Sequence, residues 1–476
     1  MNTKQIRQTI LDLAIRGELV PQDPSDEPAS VLLERIRAEK EQLIKDKKLK
    51  RDKKDNEPID EIPFELPEGW EWCRLGEVCF FKGGYAFKSN KYIEKSNNQV
   101  IRIGNVKNNN LILSNQPVYV PDTLQNEIED YHIKENDLLF TMTGTKGKRD
   151  YFYTLVVPKV RHNLYLNQRV GLLRVILSEL NIYFINLVLK HRSVLDSIFQ
   201  TETGNVNQGN IGSENTLNLL IPLPPLAEQH RIVQKIEQLF ALVDTIETNQ
   251  EALKILVKQA KNQVLSDAIA GKLTYQDPND EPAEELLKRI GKTTTTAADT
   301  PYGKLPKGWA WCRLGDCFEW GSGGTPKSTI KEYYDGDIPW LVIGDLNDSY
   351  INSSERTITK LGLQNSSAKL VPKGTLLIAM YGSIGKLGIA NRELATNQAI
   401  AFALENEINM KYLFYYLLSI RSDLNRLGKG ATQLNISQTV LKSYPFPLPP
   451  LAEQHRIVQQ IESYFTAFDQ IENELA

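Results

Sequence analysis

An internal duplication constrains the fold of this chain more than any other feature of its sequence. The string PLPPLAEQHRIVQ at Pro222–Gln234 occurs again, unchanged, at Pro447–Gln459. Two further pairs of segments match in the same order: LPEGWEWCRLGEV at Leu66–Val78 with LPKGWAWCRLGDC at Leu305–Cys317, and IRGELVPQDPSDEPA at Ile15–Ala29 with IAGKLTYQDPNDEPA at Ile269–Ala283. Chance does not produce three long matches in one order, so the chain holds two copies of one module.

The two ends of the chain complete the duplication. The repeat that begins at Pro447 makes the C-terminal end the counterpart of Glu251, and the repeat that contains Ile15 makes Met1 the counterpart of Ile255. The terminal segments together therefore correspond to the central segment of the chain. This arithmetic predicts a closed ring with pseudo-two-fold symmetry, in which the two ends meet.

Length and composition limit the class of protein. A chain of 476 residues is long enough for two or more domains with their own cores. The formal net charge of -3 excludes a polycation that binds nucleic acid by bulk charge, but it allows basic residues on one face. Four cysteines cannot form a disulfide scaffold, and the N-terminal sequence lacks the pattern of a signal peptide. The longest apolar runs are too short for a membrane span, so we expect a cytoplasmic protein without a membrane partner.

A seven-residue apolar period predicts long helices. It begins after Pro224-Pro225, and its members are Ile232, Ile236, Leu239, Val243, Ile246, Leu253, Val257, Ala260 and Val264. The predicted helix starts at Leu226 and stops near Gly271, a residue type typical of helix ends. The same period appears near both termini, at Ile457, Ile461, Tyr464, Phe468 and Ile471 and at Ile6, Ile10 and Leu13. We expect two antiparallel helices that form a coiled coil; two ordinary core helices are the alternative.

The regions between the repeated markers predict α+β domains. Their short apolar runs, broken by Gly, Asn and Pro, indicate strands at 100–103, 138–141, 153–157, 170–175, 338–343, 376–380 and 399–404. Each region ends in a predicted helical stretch, at 182–199 and 409–427. The predicted domains are an N-terminal helical region with a basic linker (1–65), a first α+β domain (66–221), a central helical region (222–304), a second α+β domain (305–446) and a C-terminal helix (447–476).

A run of basic residues lies in the N-terminal region. The segment Arg35–Lys54 holds ten Lys or Arg against four Asp or Glu. Such a run can follow the phosphates of a nucleic acid, but charge runs are more often solvated helical extensions or linkers. We favour the second interpretation.

Motifs for catalysis are weak in this sequence. The stretches Gly144–Lys148 and Gly382–Lys386 resemble a phosphate-binding loop but are two residues too short and lack the Ser or Thr after Lys. We expect turns after strands, which can still bind a backbone phosphate. The cysteine pairs have no histidine partners, so buried packing is favoured over zinc. His230 and His455 are repeat counterparts on the predicted helices, where a surface position is favoured over catalysis. The chain is therefore predicted to be non-catalytic, with no metal site.

Two related but unequal domains on a helical frame suit the recognition of two different DNA sequences a fixed distance apart. Asn and Gln pair with adenine, Arg pairs with guanine, and Lys positions the backbone. The candidate DNA-binding residues are Tyr85, Lys88, Arg102, Asn105, Thr143, Lys146, Lys148, Asn167, Gln168 and Arg169 in the first domain, with Thr325, Lys327, Tyr381, Ser383, Lys386, Asn397 and Gln398 in the second. Residues of these types also occur in ordinary polar loops.

The repeated motifs resemble those of type I restriction–modification specificity (S) subunits. The resemblance rests on the LPPLAEQHRIV string, the LPxGWxWCxLG entry and the Gly323–Pro326 and Asp337–Trp340 stretches, and it covers essentially the whole chain. The first domain carries Gly83-Gly84-Tyr85-Ala86-Phe87 in place of the Gly-Gly-Thr-Pro form. The contacts of the second domain therefore cannot be transferred to the first.

The resemblance implies a function, its partners and the residues that dock them. In that family each variable domain recognises one half of an asymmetric bipartite site in double-stranded DNA. The helices set the spacer and dock two methyltransferase subunits, which bring in the restriction subunits. S-adenosylmethionine, ATP and magnesium then belong to the partners, and this chain needs no cofactor. The candidate docking residues are Leu226, Gln229, Arg231, Leu451, Gln454 and Arg456.

Two alternatives remain at this point. A fused restriction–methylation polypeptide would need a methyltransferase fingerprint, and the sequence contains none. A coiled-coil scaffold without DNA binding would leave the two α+β domains without a role.

Overall fold

A computed structural model describes residues 2–49, 59, 61–205, 207–294, 304–429 and 434–475. The chain divides into two compact units, Asn2–Asn249 and the part from Gln250 onward. Each unit contains one α+β domain and parts of the helical regions. Residues 50–54 of the basic run lie outside the described residues.

The first unit is a mixed α/β structure. Its helices are α1 (Thr3–Ile15), α2 (Ala29–Lys45), α3 (Leu75–Val78), α4 (Gln125–Ile128), α5 (Ile182–Val188), α6 (Arg192–Gln200), α7 (Ser213–Leu217) and the first part of α8 (Leu226–Ile269). Its strands are β1 (Glu71–Arg74), β2 (Cys79–Gly83), β3 (Asn98–Ile101), β4 (Val106–Lys107), β5 (Asn110–Leu111), β6 (His132–Ile133), β7 (Leu138–Thr141), β8 (Thr143–Gly144), β9 (Thr154–Val156), β10 (Asn163–Leu166), β11 (Val170–Val175), β12 (Thr203–Asn205), β13 (Gln208–Asn210) and β14 (Leu220–Leu223). The larger sheets have the orders β2-β11-β7-β9, β3-β10-β6 and β12-β13-β8.

The second unit repeats this plan. Its helices are the rest of α8, α9 (Ala283–Arg289), α10 (Leu314–Cys317), α11 (Lys360–Gln364), α12 (Met410–Ser419), α13 (Arg421–Leu427), α14 (Gln438–Ser443) and α15 (Leu451–Glu474). Its strands are β15 (Ala310–Arg313), β16 (Trp320–Ser322), β17 (Tyr334–Leu341), β18 (Ser349–Ile351), β19 (Thr357–Ile358), β20 (Leu370–Val371), β21 (Leu376–Ala379), β22 (Leu387–Ala390), β23 (Leu394–Thr396), β24 (Ile400–Ala403) and β25 (Pro445–Leu448). Its sheets have the orders β16-β24-β21-β22-β18 and β19-β17-β23-β20.

The α+β fold class predicted from sequence is confirmed, with one local correction. The stretch 182–199 was expected to form one helix, but it forms α5 and α6. The His191 ring caps the start of α6 by accepting a hydrogen bond from the Ser193 N–H at 3.2 Å, and it also contacts the Asp12 carboxylate. This cap redirects the chain because it satisfies the first amides of a new helix. The second domain has a similar break between α12 and α13.

The first and last strands of each α+β domain pair with each other. Strand β1 pairs antiparallel with β14, and strand β15 pairs antiparallel with β25. Cys73 and Cys312 lie on the entry strands and are fully buried, which raises the pKa of both thiols well above the ordinary value. The four cysteines are free and buried, as the packing interpretation predicts. Each domain thus leaves and rejoins the helical region at one two-stranded stem.

The central helix extends as predicted from the apolar period. Helix α8 begins at Leu226 and ends at Ile269, two residues before Gly271, which has a positive φ of 66°. A residue with a Cβ is strained at that φ, so Gly271 ends the helix at low cost. The period positions Ile232, Ile236, Val243 and Val257 are buried, but Leu253 near the helix centre is 38% exposed.

The same ion pairs join the terminal helices to α8 in both units. In the first unit, the Arg7 guanidinium lies 2.5 Å from Asp244 and 3.1 Å from Glu247, and it stacks over Phe240 at 5.1 Å. Asp26, which follows α1, meets Arg231 at the start of α8, so α1 and α8 run in opposite directions.

The second unit repeats this arrangement at the positions that the duplication predicts. Lys261 replaces Arg7, and its ammonium lies 2.7 Å from both Asp469 and Glu472 and 5.9 Å from the Phe465 ring centroid. The terminal helices therefore pack on α8 as repeat counterparts. The coiled coil along the full helices and the closed ring stay predictions, as do the domain boundaries.

The described part of the basic run forms the end of α2. Arg35 pairs with Glu27 and Glu179, Arg37 pairs with Glu77, and the buried Lys40 donates to the Gly76 carbonyl at 2.8 Å. Arg35 and Arg37 are paired with acids and Lys40 is buried within the first unit, which favours the helical extension over phosphate binding for these three residues.

Candidate nucleic-acid interface

The candidate residues of the first domain gather where β7 ends and β11 begins. The Met142 N–H, just after β7, donates to the Arg169 carbonyl at 3.1 Å. The Tyr85 N–H donates to the Leu166 carbonyl at 2.8 Å, and Tyr85 forms a parallel β-bridge with Asn167. These backbone contacts bring three segments to one edge of the domain: the segment after β7, the loop at Tyr85 and the turn between β10 and β11. Paired strands hold their neighbouring ends side by side, so the segments that follow them also lie close together.

A cleft of about 360 Å³ opens at this edge. The predicted residues that line it are Arg102, Asn105, Asn167, Gln168 and Arg169, and it also includes Phe87, Tyr92, Ile103, Gly104, Asn115 and Gln116. Gln168 and Arg169 are exposed at its rim. The cleft combines two guanidinium groups, several amides and two aromatic rings, the groups that contact phosphates and base edges.

Two of the asparagines predicted to bind DNA form their hydrogen bonds within the domain itself. Asn105 is 1% exposed; its amide oxygen accepts from the Arg102 N–H at 2.9 Å, and its amide nitrogen donates to the Ile112 and Asn115 carbonyls at 2.9 and 3.0 Å. Both the oxygen and the nitrogen of the Asn105 side-chain amide are therefore hydrogen-bonded within the domain, and the structure does not support Asn105 as a base contact. Asn167 is 7% exposed, and its side-chain oxygen faces the Arg169 N–H at 3.5 Å. Both residues shape the cleft.

A second group of predicted residues lies on the turn after β7. Thr143 pairs with Asn210 in the β8–β13 ladder, and the Lys146 ammonium donates to the Gly204 carbonyl at 2.8 Å. Lys148 is exposed, and its N–H closes a turn on the Thr145 carbonyl at 3.1 Å. Because Met142 contacts Arg169, this turn adjoins the cleft.

Carboxylates accompany the lysines of this turn. The Glu202 carboxylate accepts from the Gly147 N–H at 3.0 Å and from the Tyr151 hydroxyl at 2.6 Å. The Asp150 carboxylate accepts from the Thr145 N–H at 2.8 Å, and this bond lowers the pKa of Asp150. The acids are tied to backbone N–H groups, which fixes the turn.

Tyr85 and Lys88 lie on the loop that follows β2 and reaches the edge of the cleft. The Tyr85 hydroxyl bonds to the Glu127 carboxylate, which raises the pKa of Tyr85. The Tyr85 ring packs edge-on against Phe87 and Tyr131 at 4.9 and 5.3 Å. Lys88 is exposed. Tyr85 is therefore held in place by the domain, whereas Lys88 is available to solvent.

The second domain repeats this edge with different side chains. The Met380 N–H donates to the Ala399 carbonyl at 2.9 Å, and the Asn397 N–H donates to the Leu341 carbonyl at 2.9 Å. The predicted residues Thr325, Lys327, Tyr381, Ser383 and Gln398 are exposed, and Lys386 and Asn397 are half-buried. Thr325 and Gln398 meet through their side chains, since the Thr325 hydroxyl contacts the Gln398 amide oxygen.

A glycine in each domain allows the entry loop to reach the strand end. A Cβ on Gly84 would lie 2.1 Å from the Asn167 carbonyl oxygen, and one on Gly323 would lie 1.9 Å from the Thr396 carbonyl oxygen. Both contacts are with backbone that cannot move aside. Only glycine permits this approach, which explains why a glycine stands at this position in both domains although the following residues differ.

The candidate docking residues on the helices are mostly engaged within their own units. Gln229 and Gln454 are fully buried; each donates to the carbonyl of Pro224 or Pro449 at 2.9 Å and accepts from a helix-cap asparagine N–H. A buried side chain cannot contact a partner without unfolding its site, so the structure does not support these two glutamines as direct docking residues.

The arginines among the other docking candidates lie beside a buried Trp–Glu hydrogen bond that occurs in both units and that was not predicted from the sequence. We name this contact the joint. Arg231 and Arg456 pair with Asp26 and Asp280 at 2.6 Å in their units. Beside them, the buried carboxylates of Glu228 and Glu453 accept from the indole N–H groups of Trp70 and Trp309, at 2.9 and 2.8 Å. Burial raises the pKa of both carboxyl groups. These residues are identical in the two copies. That identity could have predicted the joint, because it indicates an internal contact as well as it indicates a docking site. Leu226 and Leu451 are half-buried.

Metal-binding clusters and membrane-spanning helices are absent from the part of the chain that the structure describes. No cluster of three or more His, Cys, Asp or Glu residues there has the arrangement of a metal site. None of the helices described combines the length and apolar character needed to cross a bilayer. His230 and His455 are exposed on α8 and α15, and each ring contacts a carbonyl one turn earlier.

Comparison with known families identifies the chain. The type I restriction modification DNA specificity domain family matches residues 67–255 and 306–476. The chain therefore belongs to the type I restriction–modification specificity family, and each of its units carries one such domain.

Curated relatives match almost the whole chain. The EcoEI type I restriction enzyme specificity subunit of Escherichia coli is 29% identical, over 99% of this chain and 90% of that protein. The EcoAI specificity subunit of Escherichia coli is 25% identical, over 96% of this chain and 88% of that protein. Both alignments span the two domains and the helices together.

Solved structures share the fold. A chain from a structure of complex assembly and conformational transition of the type I R-M system aligns with a TM-score of 0.63 and 21% identity, over 87% of this chain and 94% of that chain. The HsdS subunit from Thermoanaerobacter tengcongensis aligns with a TM-score of 0.56 and 20% identity, over 87% and 93%. The family and fold expected from the repeated motifs are thus confirmed.

Proposed function

We propose that this chain is the DNA-sequence-specificity subunit of a type I restriction–modification complex, and that each α+β domain recognises one half of an asymmetric bipartite target. The observation that carries the proposal is the strand-end edge built in both domains with equivalent backbone contacts and different side chains. Two equal domains would recognise equal sequences, whereas two domains with the same frame and different side chains suit two different half-sites.

The partners follow from the family. Two methyltransferase subunits dock on the helical regions, and restriction subunits join through them. S-adenosylmethionine, ATP and magnesium are held by those partners, and the complex acts in the cytoplasm as an adenine methyltransferase and ATP-dependent nuclease. This chain supplies specificity and no reacting group.

Reconstitution with the methyltransferase subunits tests the proposed function. We expect the pure chain alone to transfer no methyl groups, and the complex to methylate adenine at one bipartite sequence in a library of duplexes. Methyl transfer by the pure chain would favour a fused enzyme. A complex that assembles but shows no sequence preference would favour a scaffold and contradict the proposal.

The exposed residues of the repeated helix starts are our revised docking surface. Within the identical strings, Ala227, His230 and Gln234 are exposed on α8, as are their counterparts Ala452, His455 and Gln459 on α15. Their spacing places each set of three on one helix face. We name this face the repeated stripe.

The identity of the repeated stripe is informative because nearby exposed positions have diverged. Gln238 corresponds to Ser463 and Ala241 corresponds to Thr466, and all four are exposed. Packing within the chain does not require identity at exposed positions, whereas binding the same partner twice does. The stripe therefore suits two copies of one methyltransferase subunit.

Substitution of the small residue in the stripe tests this surface. We expect Ala452→Arg to reduce the complex from two bound methyltransferase subunits to one, because an arginine there prevents close approach, and the double variant with Ala227→Arg to bind none. Native mass spectrometry measures the stoichiometry. Ser463→Arg is the matched control at a diverged exposed position. Two subunits still bound to the double variant would show that docking occurs elsewhere.

A further inference from the structure

The two recognition domains can be compared position by position, because the same backbone hydrogen bonds occur in both. The Met142 N–H bond to Arg169 corresponds to the Met380 N–H bond to Ala399. Ile211 and Ile436 each donate to the carbonyl of that methionine at 3.0 Å. These bonds make Arg169 and Ala399 equivalent positions at the same strand end.

 The equivalence holds across the cleft as well. The Arg102 N–H donates to the Asn105 side chain at 2.9 Å, and the Val342 N–H donates to the Asp345 side chain at 2.8 Å. Arg102 and Val342 therefore occupy equivalent positions beside the strand end.

On the turn after the strand, the same comparison pairs two more positions. Thr143 faces Asn210 in the β8–β13 ladder, and Tyr381 forms a β-bridge with Asn435, the repeat counterpart of Asn210. Both turns have a glycine with a positive φ at the equivalent place, Gly147 at 77° and Gly385 at 78°. Thr143 and Tyr381 are thus equivalent.

Some side chains at this edge are the same in both domains. Gln168 corresponds to Gln398, Lys148 to Lys386 and Lys88 to Lys327. Two half-sites of different sequence share the sugar–phosphate backbone at every position, whereas their bases differ at the positions that distinguish them. Residues kept in both domains are therefore suited to the backbone, and residues that differ are suited to the bases.

The contact between Thr325 and Gln398 supports a backbone role for Gln398 in the second domain. The Thr325 hydroxyl uses one of the two acceptor positions of the Gln398 amide oxygen and so holds the amide, whose two N–H donors point away from this contact. A bidentate contact with adenine needs both the oxygen and the nitrogen of the amide, whereas a phosphate accepts N–H donors alone.

The differing positions of the first domain carry two arginines in one cleft. Arg102 and Arg169 both line it, whereas Val342 and Ala399 stand at the equivalent positions of the second domain. One N–H of Arg102 is used by the Gln116 carbonyl, and the exposed Arg169 has no ion-pair partner among the residues that the structure describes. The guanidinium of Arg169 is thus free to form a bidentate contact with guanine O6 and N7.

We infer that Arg169 is a specificity-determining residue that reads a guanine in the first half-site, while the shared Gln168 and Gln398 hold the DNA backbone. This inference rests on the proposed function. It makes the first half-site, and not the second, dependent on an arginine at this strand end.

Two neighbouring substitutions in the reconstituted complex separate the roles. We expect Arg169→Ala to relax the preference for guanine at one position of the first half-site by about ten- to a hundredfold. We expect Gln168→Ala to weaken binding to all sequences by a similar factor and to leave every base preference unchanged. Sequencing of methylated products from a library with randomised half-sites measures the preferences, and salt titrations of binding measure the phosphate contacts.

The outcomes distinguish this inference from the proposed function. A wild-type complex without any sequence preference would overturn the proposed function itself. With a specific wild-type complex, an Arg169→Ala variant that weakens all sequences equally and lowers the salt slope by about one would assign Arg169 to a phosphate and overturn the inference. A changed base preference in Gln168→Ala would overturn the backbone role. Lys148→Ala, at a shared lysine, is the control for uniform weakening.

Discussion

Replacing the first recognition domain, residues 66–221, with that of another family member is expected to change one half of the recognised site completely and to leave the other half intact. The physical reason is the stem at which the domain joins the helical region. Strand β1 pairs with β14 from Glu71–Leu223 to Arg74–Leu220, so the two ends of the domain lie side by side. A different domain with the same stem can be inserted without changing the helices.

The second domain supplies the matched experiment. Its stem pairs Ala310–Arg313 with Pro445–Leu448, so replacement of residues 305–446 is expected to change the other half-site only. Methylation of a genomic library by each reconstituted complex measures both half-sites together. A replacement that changes both halves, in a complex that still methylates DNA, would show that the two domains do not act as independent modules.

The sequence predicted the helices well because their packing depends on a simple period. Seven-residue spacing predicted a long helix, Pro224-Pro225 placed its start at Leu226 and Gly271 placed its end, and the structure has α8 from Leu226 to Ile269. The repeat that pairs Met1 with Ile255 also pairs Arg7 with Lys261, and in the structure each forms ion pairs with counterpart acids on the neighbouring helix. Local rules and repetition determine these features, so no knowledge of the tertiary structure was needed.

The site was predicted less completely, because residue type does not reveal which side chains the fold uses. Asn105 and Gln229 looked like surface amides, but the first closes a loop beside the cleft and the second is buried below the start of α8. Asn115 and Gln116 line the cleft but lie outside the repeated motifs, so no comparison between the copies could indicate them. Burial and loop closure depend on the tertiary structure. Identity between the two copies cannot show whether a residue is kept for such an internal contact or for contact with a partner.

The stem and the cleft also explain how one fold serves different sequences. The stem, the helix starts and the Gly84 and Gly323 contacts are the same in both copies, and they fix where each strand end lies. Side chains at that strand end such as Gln168, Arg169 and Gln398 are exposed and contribute little to the core. They can therefore change with little loss of stability, which lets specificity diverge while the frame is kept.

Insertion of seven residues into the centre of α8 is expected to lengthen the spacer between the half-sites while both half-site sequences stay the same. Seven helical residues add about 10.5 Å, close to three base pairs of B-DNA, and they preserve the seven-residue period. The region after Glu247 suits the insertion, because Leu253, Ile255 and Leu256 are 38–57% exposed and little packing is disturbed there. A four-residue insertion adds about 6 Å but turns the apolar face by roughly 40°, so it should lower stability and serves as the comparison. Methylation of sites that differ only in spacer length measures the preference. An unchanged spacer preference in a folded, active seven-residue variant would mean that α8 docks partners without measuring distance along the DNA.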